Sequence, residues 1–269
     1  MPKVFSPDQP IVPGADVIYP PPGQAGEYAP LATNPYKGCG HACAYCYVPA
    51  AIHMPRPDFD AGAIDKPNWI ERLAKDAARY ERAGVTQQVM LSFSTDPYHP
   101  GDTTLTTRTL EILADRGMGF CTLTKGGTKG LIDIDLFRPA RDAFACTLTS
   151  LDDDFSLKWE RKAALPGDRI AALRAFHDRG IFTWASLEPT LDVESGLAIV
   201  AATHGFVDLF KIGRANYVPT ITQVVDWQDY TLRMIDLCQK LGVAHYIKKD
   251  LQPYLPSDYP NQLRVRQHH

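Results

Sequence analysis

Short apolar runs alternate with longer segments of helical periodicity through most of the chain. The apolar runs predict strands at residues 31–37, 89–94, 120–124, 143–149, 181–187 and 206–212. Helical spacing of apolar residues predicts helices at 68–80, 104–116, 131–141, 168–179, 193–203 and 227–241. Several of these helices are followed by a glycine stop signal, as at Gly117, Gly180 and Gly242. Regular alternation of strands and helices predicts a parallel α/β sheet with right-handed crossovers.

The number of repeating units limits the architecture. Counting the opening strand, the pattern gives about six β–α units, which is fewer than the eight of a closed barrel. The strands are continuous apolar runs, as expected when helices cover both faces of a sheet. An incomplete barrel and an open doubly wound sheet are both compatible with this pattern. In either fold, chemistry is expected at the carboxyl ends of the strands.

The two ends of the chain differ from this regular centre. Prolines recur through residues 1–33, and because proline fixes φ and donates no amide, an extended arm is predicted there. The predicted organisation is an arm at 1–33, a partial barrel at 34–245 and a C-terminal extension at 246–269. The extension contains Lys248, Lys249, Arg264 and Arg266, together with tyrosines suited to stacking on nucleic-acid bases. A solvated, proline-rich tail is the alternative interpretation.

Composition narrows the class of protein. The chain has 269 residues, 45% of them hydrophobic, which is ample for a core, and a formal net charge of −3. This mild charge predicts no general attraction to nucleic acid or anionic membranes, although a local patch remains compatible with it. No apolar run approaches the roughly 20 residues of a membrane span. With no signal-peptide pattern either, we expect a cytoplasmic protein that does not bind membranes.

Three of the six cysteines fall in one short loop. Cys39, Cys43 and Cys46 have the spacing C-x3-C-x2-C, in a segment too rich in glycine and proline for a plain helix or strand. Thiolates this close together repel one another unless a metal centre neutralises them. Three cysteines can hold three irons of a four-iron cluster and leave the fourth iron open to a small molecule. A zinc site that adds His41 is the alternative, and it would make the chain a zinc-stabilised α/β binding protein.

The loop resembles a known family. Its cysteine spacing, with Tyr45 before the last cysteine, is similar to that of the radical S-adenosylmethionine (radical SAM) enzymes. The longer strings NPYKGC at 34–39 and YCY at 45–47 resemble the spore photoproduct lyase-like branch. The resemblance implies an incomplete (β/α)6 TIM-like barrel of parallel strands with outer helices. It also implies a [4Fe–4S] cluster on Cys39, Cys43 and Cys46, with Tyr45 packed around it.

The same resemblance implies a reaction. In the family, the open iron binds S-adenosyl-L-methionine, and one electron breaks its sulfur–C5′ bond. The resulting 5′-deoxyadenosyl radical then abstracts a hydrogen atom from a substrate. This chemistry implies an electron donor of the flavodoxin or ferredoxin type as a partner.

Polar residues follow the predicted strands, where a cofactor is expected. Ser94, Thr95 and Asp96 match the family segment that meets the amino group of S-adenosylmethionine, although such residues before proline are also ordinary turn chemistry. Lys125 resembles the family's contact to the methionine carboxylate.

Later strand ends carry further candidates for the cofactor site. Thr149 and Ser150 offer hydroxyls suited to a ribose, with ordinary turn hydroxyls as the alternative. Glu188 directly follows the apolar run 181–187, and Lys211 lies near the end of the run 206–212. Both are predicted to contact the cofactor or the substrate.

The substrate is the least determined feature. Spore photoproduct lyase repairs a thymine dimer in DNA and carries a cysteine hydrogen donor just ahead of the segment that matches residues 94–96. Phe93 occupies that position here and cannot donate a hydrogen atom. We therefore expect a lyase-like enzyme that is not a true photoproduct lyase and that acts on a nucleic acid or nucleotide. Cys121, Cys146 and Tyr98 are alternative donors, and the sequence assigns no catalytic residue.

Overall fold

Residues 10–259 are described in the structure, a computed structural model. Within them, seven parallel strands form one sheet in the order β1-β4-β5-β6-β7-β8-β9, and β2 pairs with β3 in a small antiparallel ribbon. The strands are β1 (Leu31–Thr33), β2 (Tyr36–Lys37), β3 (Ile64–Asp65), β4 (Val89–Leu91), β5 (Phe120–Thr124), β6 (Ala143–Thr147), β7 (Phe182–Thr190), β8 (Leu209–Arg214) and β9 (Ala244–Ile247).

Helices connect successive strands and cover the outer face of the sheet. They are α1 (Val48–Ala51), α2 (Arg56–Ala61), α3 (Trp69–Arg82), α4 (Thr104–Asp115), α5 (Asp153–Trp159), α6 (Pro166–Asp178), α7 (Val193–Thr203), α8 (Pro219–Thr222) and α9 (Trp227–Leu241). Short 3₁₀ helices lie at Gly23–Glu27, Gly127–Leu136 and Gln252–Tyr254. No helix within residues 10–259 has the length and apolar character needed to cross a membrane.

The predicted parallel α/β class and incomplete barrel are confirmed. The main sheet has one strand more than predicted, and the ribbon strand β3 was not predicted either. The additional strand is β9, which pairs with β8 from Ala244 to Ile247. It is short, and His245 and Tyr246 interrupt its apolar pattern. The helix predicted at 131–141 is instead the 3₁₀ helix Gly127–Leu136, and the first strand predicted at 31–37 is divided into β1 and β2.

Two apolar layers lie on the two faces of the sheet. Between the sheet and the helices, the rings of Phe144 and Phe176 stack at a centroid separation of 3.8 Å. On the concave face, small residues such as Ala143 and Ala145 surround the fully buried Trp184. Because successive strand residues face opposite sides, this pattern sends alternate side chains of β4 to β9 into the barrel interior.

The described part of the N-terminal arm is attached to the barrel. Oδ2 of the buried Asp76 accepts hydrogen bonds from the amides of Asp16, Val17 and Ile18, at 2.5 to 3.0 Å. Further along, Glu27 accepts hydrogen bonds from the Tyr246 hydroxyl and the Lys249 amide. Tyr19 of the arm also pairs with Ala32 of β1, so the arm contacts both the first and the last strand of the sheet.

The attachment at Asp76 predicts a loss of stability on substitution. Asp76→Ala leaves three backbone amides without their acceptor, and each unsatisfied buried donor costs about 1–3 kcal/mol. We expect the free energy of unfolding to fall by about 2–4 kcal/mol, because water reaches part of the opened site. Urea denaturation measures it. Asp178→Ala, at an exposed position near the end of α6, is the control; equal losses in both variants would contradict the prediction.

Candidate functional site

A cavity of about 420 Å³ lies at the carboxyl ends of the strands. The cysteine loop forms one wall, and residues at the ends of β4 to β9 form the others, with part of the N-terminal arm beside them. The lining residues are Pro22, Gln24, Ala25, Tyr28, Cys39, His41, Cys43, Tyr45, Cys46, Tyr47, Val48, Phe59, Ser92, Phe93, Thr95, Asp96, Leu123, Thr124, Lys125, Thr147, Ser186, Glu188, Pro189, Arg214, Asn216, Tyr217, Val218 and Lys248.

Glycines shape the start of the cysteine loop. Gly38 and Gly40 have φ values of 85° and 86°, in the left-handed region that side chains disfavour. A Cβ on Gly38 would also collide with the carbonyl of Gly62. The Cys39 amide then donates to the Phe59 carbonyl at 3.1 Å, which joins the loop to α2.

The segment 158–162 supports the other side of the loop. The Ala44 amide donates to the Trp159 carbonyl at 2.7 Å, and the Lys162 amide donates to the His41 carbonyl at 3.0 Å. Between these bonds, the Tyr45 hydroxyl donates to the buried carboxylate of Glu160. Arg169, equally buried, pairs with Glu160 at 2.6 Å. A fully buried ion pair thus holds the ring of Tyr45 against the cysteines.

The environment of the thiols suits a metal centre. Burial raises the pKa of Cys43 to about 12, and it also raises the pKa of Cys39 and of Cys46. Such thiols lose their protons when a bound metal supplies positive charge. Among the described side chains, no group of three or more His, Cys, Asp or Glu residues is arranged around a single metal ion. The three cysteines of a four-iron cluster do not surround one ion, because each thiolate binds a different iron.

Both ring nitrogens of His41 lie close to protein groups. Its Nδ1 lies 3.3 Å from the Lys162 carbonyl oxygen, and its Nε2 lies 3.2 Å from Oδ2 of Asp96. Both ring nitrogens are therefore turned towards protein groups. This position argues against the predicted alternative in which His41 completes a zinc site with the three cysteines.

Asp96 joins the cysteine loop to the neighbouring strand ends. Its Oδ1 accepts hydrogen bonds from the Thr124 hydroxyl and the Tyr98 amide, and its Oδ2 accepts one from the Lys125 amide. Burial opposes ionisation, but His41 and these hydrogen bonds outweigh it and hold the pKa of Asp96 well below its usual range. Because both of its carboxylate oxygens are in contact with neighbouring groups, Asp96 holds the cysteine loop in position relative to the end of β5.

Lys125 extends from the end of β5 towards the cysteine loop. Its Nζ lies 5.6 Å from the centroid of the Tyr45 ring. Burial disfavours the ammonium form, yet the neighbouring Cys43 and Glu160 outweigh burial and raise the pKa of Lys125. The side chain therefore carries its positive charge beside the predicted cluster ligands.

A second cluster of polar side chains forms the cavity wall opposite the cysteine loop. The sequence analysis did not place two of its members, Tyr28 and Lys248, in the cavity. Glu188, at the cavity edge of β7, accepts hydrogen bonds from the Tyr28 hydroxyl and from Lys248 Nζ. Asn216 lies next to them and donates to Asp250 at 2.6 Å. Lys248 follows β9 directly, as Lys125 follows β5, so recognising β9 would have revealed it. No local signal marks Tyr28, which comes from the arm.

Several predicted residues lie outside the cavity lining. The Ser94 amide donates to Asn34, and its side chain is not among the lining residues. Thr149 and Ser150 are buried beyond the end of β6, where Thr147 takes the lining position. Lys211 lies deeper in the barrel, with its Nζ 3.7 Å from the centroid of the Trp184 ring. Burial lowers the pKa of Lys211 well below its ordinary value.

The chain belongs to the Radical SAM superfamily. The sequence model of that superfamily matches residues 33–190, which is more than half of the chain and includes the cysteine loop. The cofactors of this family are a [4Fe–4S] cluster and S-adenosyl-L-methionine, and the family assignment sets aside the zinc-stabilised binding protein. Members of the family also require a reductant as electron donor.

Curated relatives match part of the chain. Uncharacterized proteins of Mycobacterium tuberculosis and Mycobacterium bovis are each 29% identical over 168 residues, covering 59% of this chain and 48% of the relative. The chain thus spans about half the length of the curated relatives it matches.

Solved structures share the fold at low sequence identity. SuiB of Streptococcus suis, bound to S-adenosylmethionine, has a TM-score of 0.62 and 12% identity, over 84% of this chain and 52% of that one. A spore photoproduct lyase mutant, with bound S-adenosylmethionine and dinucleoside spore photoproduct, also has a TM-score of 0.62. It is 15% identical, over 81% of this chain and 76% of that chain.

The contacts of Asp96 predict a specific local change on substitution. Asp96→Asn places an amide donor among groups that themselves donate, which costs about 1–3 kcal/mol. We expect faster hydrogen exchange in the cysteine loop and at the Lys125 amide. Asp133→Asn is the control, because Asp133 accepts from Tyr98 and Thr107 away from the cavity. Loop exchange unchanged by Asp96→Asn, or equally fast in both variants, would contradict the prediction.

Proposed function

We propose that the chain is a radical SAM enzyme whose cluster and S-adenosylmethionine, when bound, supply a 5′-deoxyadenosyl radical that abstracts a hydrogen atom from a substrate. One observation carries the proposal: Cys39, Cys43 and Cys46 line the same cavity as the carboxyl ends of the parallel strands. A cluster on this loop would therefore adjoin the space where the residues at the strand ends bind and orient a ligand.

Individual residues take distinct roles in this proposal. The three cysteines hold the cluster, and Tyr45 packs beside them. Lys125 binds the methionine carboxylate, since its buried ammonium lies next to the loop. Thr95 lines the cavity and its hydroxyl donates to the Gly38 carbonyl, so it ties the loop to the end of β4. Asp96 holds these parts together through its hydrogen bonds.

The remaining lining residues enclose the ligand. Phe93, Leu123, Val48 and Pro189 present apolar side chains to the cavity. Such walls exclude water and keep a reactive centre from other partners. Across from the loop, Glu188 is neutralised by Lys248, and we assign this pair to the far end of the cofactor or to the substrate. Lys211, Ser94, Thr149 and Ser150 act behind the lining rather than in it.

For the substrate we propose a nucleic acid or nucleotide, handled by lyase-like chemistry. The fold is similar to that of a lyase solved with a dinucleoside ligand. At the cavity edge, Tyr47 and Tyr217 stack at a centroid separation of 4.8 Å and remain 45% and 63% exposed. Exposed aromatic rings suit stacking with unstacked bases. The cationic Arg214 lines the same cavity. The basic residues Arg264 and Arg266 lie outside the described residues.

Photoproduct repair by a cysteine donor does not fit this chain. Phe93 lines the cavity and occupies the sequence position that matches the cysteine donor of spore photoproduct lyase. The described lining contains no cysteine besides the three of the loop. Cys121 and Cys146 are buried elsewhere in the sheet. The Tyr98 hydroxyl donates a hydrogen bond to Asp133. None of these three alternative donors lines the cavity.

The cluster assignment predicts a complete loss of cofactor cleavage. Under anaerobic reduction with S-adenosylmethionine, the chain should form 5′-deoxyadenosine, and Cys43→Ala should abolish both this product and most of the bound iron and sulfide. Cys238→Ala is the matched control, because Cys238 is a buried cysteine on α9, remote from the cavity. Product formation that survives Cys43→Ala, or no product in the unaltered chain, would contradict the proposal.

The substrate class has its own test. We expect deuterium from uniformly deuterated single-stranded oligonucleotides to appear in 5′-deoxyadenosine, detected by mass spectrometry. Tyr217→Ala should lower this transfer about 5- to 160-fold, the range that corresponds to the loss of one stacking contact of about 1–3 kcal/mol. Ile132→Ala, which removes an exposed apolar side chain on the 3₁₀ helix Gly127–Leu136 outside the cavity lining, is the control. Deuterated peptides should give no transfer; transfer from peptides alone would overturn the substrate assignment.

A further inference from the structure

A shallow apolar groove lies on the outer side of the cysteine loop. Small residues Ala44, Ala50 and Ala51 form part of it, and Tyr45, Cys46, Tyr47 and Tyr217 complete it. The last four residues also line the cavity. They therefore form a wall one residue thick between the predicted cluster site and the protein surface, and Cys46, a predicted cluster ligand, belongs to that wall.

Positive side chains lie beside this groove. Lys158, Arg161 and Lys162 are all exposed, and the backbone of their segment is hydrogen-bonded to the loop at Ala44 and His41. Glu160, within the same segment, is buried and paired with Arg169. The exposed charge of residues 158–162 is therefore wholly positive, in a chain whose formal net charge is −3.

A further cation contacts the loop directly. Arg56, at the start of α2, donates hydrogen bonds to the carbonyl oxygens of Cys43 and Cys46. Its guanidinium is partly exposed and also pairs with Asp60 at 2.6 Å. Acidic residues are present at the beginning of α5, where Asp153 and Asp154 are exposed. They lie four or more residues before Lys158, away from the part of the segment that is bonded to the loop.

From this arrangement we propose that the groove and its basic border are the docking surface for an acidic one-electron carrier protein, with a flavin or an iron–sulfur centre. This inference rests on the proposed function. Cys39, Cys43 and Cys46 would hold the cluster beside this wall. A docked, reduced carrier would be oxidised by one electron, the cluster would accept that electron, and no atom would be transferred. Alanines in the groove allow close approach, which electron transfer requires.

The character of the surface fits a transient redox complex. Such complexes bury little area, typically less than about 1,200 Å², and they dissociate quickly. Complementary charge then matters chiefly for the rate of association, which long-range steering raises and salt lowers. An apolar centre with a basic border is the arrangement expected for this purpose.

Charge reversal at the border tests the proposal. The test uses the cluster-loaded chain with a purified acidic flavodoxin as the probe. The double variant Arg161→Glu, Lys162→Glu should raise the dissociation constant for the oxidised carrier at least 10-fold at low salt, as measured by biolayer interferometry. Stopped-flow bleaching of the visible cluster absorption by the reduced carrier should slow by a similar factor. Both differences should shrink at about 0.5 M salt, where the Debye length falls to a few ångströms.

A matched variant controls for the change in net charge. Arg82→Glu, Arg108→Glu makes the same change at exposed positions on α3 and α4. At about 0.1 M salt it should leave carrier binding within about 2-fold, because charges more than about 10 Å from the interface are then largely screened. Ala50→Glu, in the groove itself, should weaken binding at both low and high salt, because it obstructs contact. Equal effects of the two double variants, or no effect of the border variant, would overturn the docking surface.

Reduction by dithionite separates this inference from the proposed function. The border variant should form 5′-deoxyadenosine at the unaltered rate with this small reductant. If carrier binding is unchanged while dithionite supports cleavage, the docking surface is wrong and the proposed function stands. If the unaltered chain forms no 5′-deoxyadenosine with dithionite, the proposed function fails and the inference fails with it.

Discussion

The buried carboxylate of Asp96 connects the parts of the candidate site. It accepts hydrogen bonds from residues at the ends of two strands and lies 3.2 Å from the His41 ring of the cysteine loop. A buried charge is tolerated only when its hydrogen bonds are complete, so the groups around Asp96 are restricted to one arrangement. That arrangement determines where the loop stands relative to Lys125. The distance from the loop to the strand ends, and hence the cavity, depends on it.

Two further charge pairs, one fully and one mostly buried, extend this framework in opposite directions. Glu160 and Arg169 support Tyr45 from behind the loop, and Glu188 and Lys248 form the far wall. Between them lies a cavity with largely apolar walls, as expected where a reactive species must be enclosed. Outside the loop, the same wall carries small residues and positive charge. One loop thus separates an enclosed reaction space from a surface that we assign to electron delivery.

The N-terminal arm belongs to this structure as much as the barrel does. In the incomplete barrel the first and last strands, β1 and β9, are the two edges of the sheet, and the arm contacts both of them. Through Glu27 it contacts residues of β9 and the segment after it, and through Tyr28 it reaches Glu188 in the cavity. A proline-rich segment suits this task, because its restricted backbone loses little entropy when it is fixed in an extended path. The arm predicted from proline content alone is, in its described part, a wall of the site.

The sequence by itself determined the features that depend on local pattern. Strand β5 at Phe120–Thr124 and helices α7 and α9 match their predicted bounds, because apolar periodicity and glycine stops are local properties. The three cysteines, Lys125 and Asp96 were also identifiable, since a motif and a strand end place them.

Only the tertiary structure decided the rest. Strand β9 is stabilised by pairing with β8, and four residues with two polar side chains do not signal that by themselves. Tyr28 meets Lys248 across 220 positions of sequence, a contact that only folding creates. Thr147 rather than Thr149 lines the cavity, because β6 ends two residues earlier than predicted. The end of a strand depends on the neighbouring strands with which it pairs. Local pattern specifies elements, whereas long-range packing specifies which side chains meet.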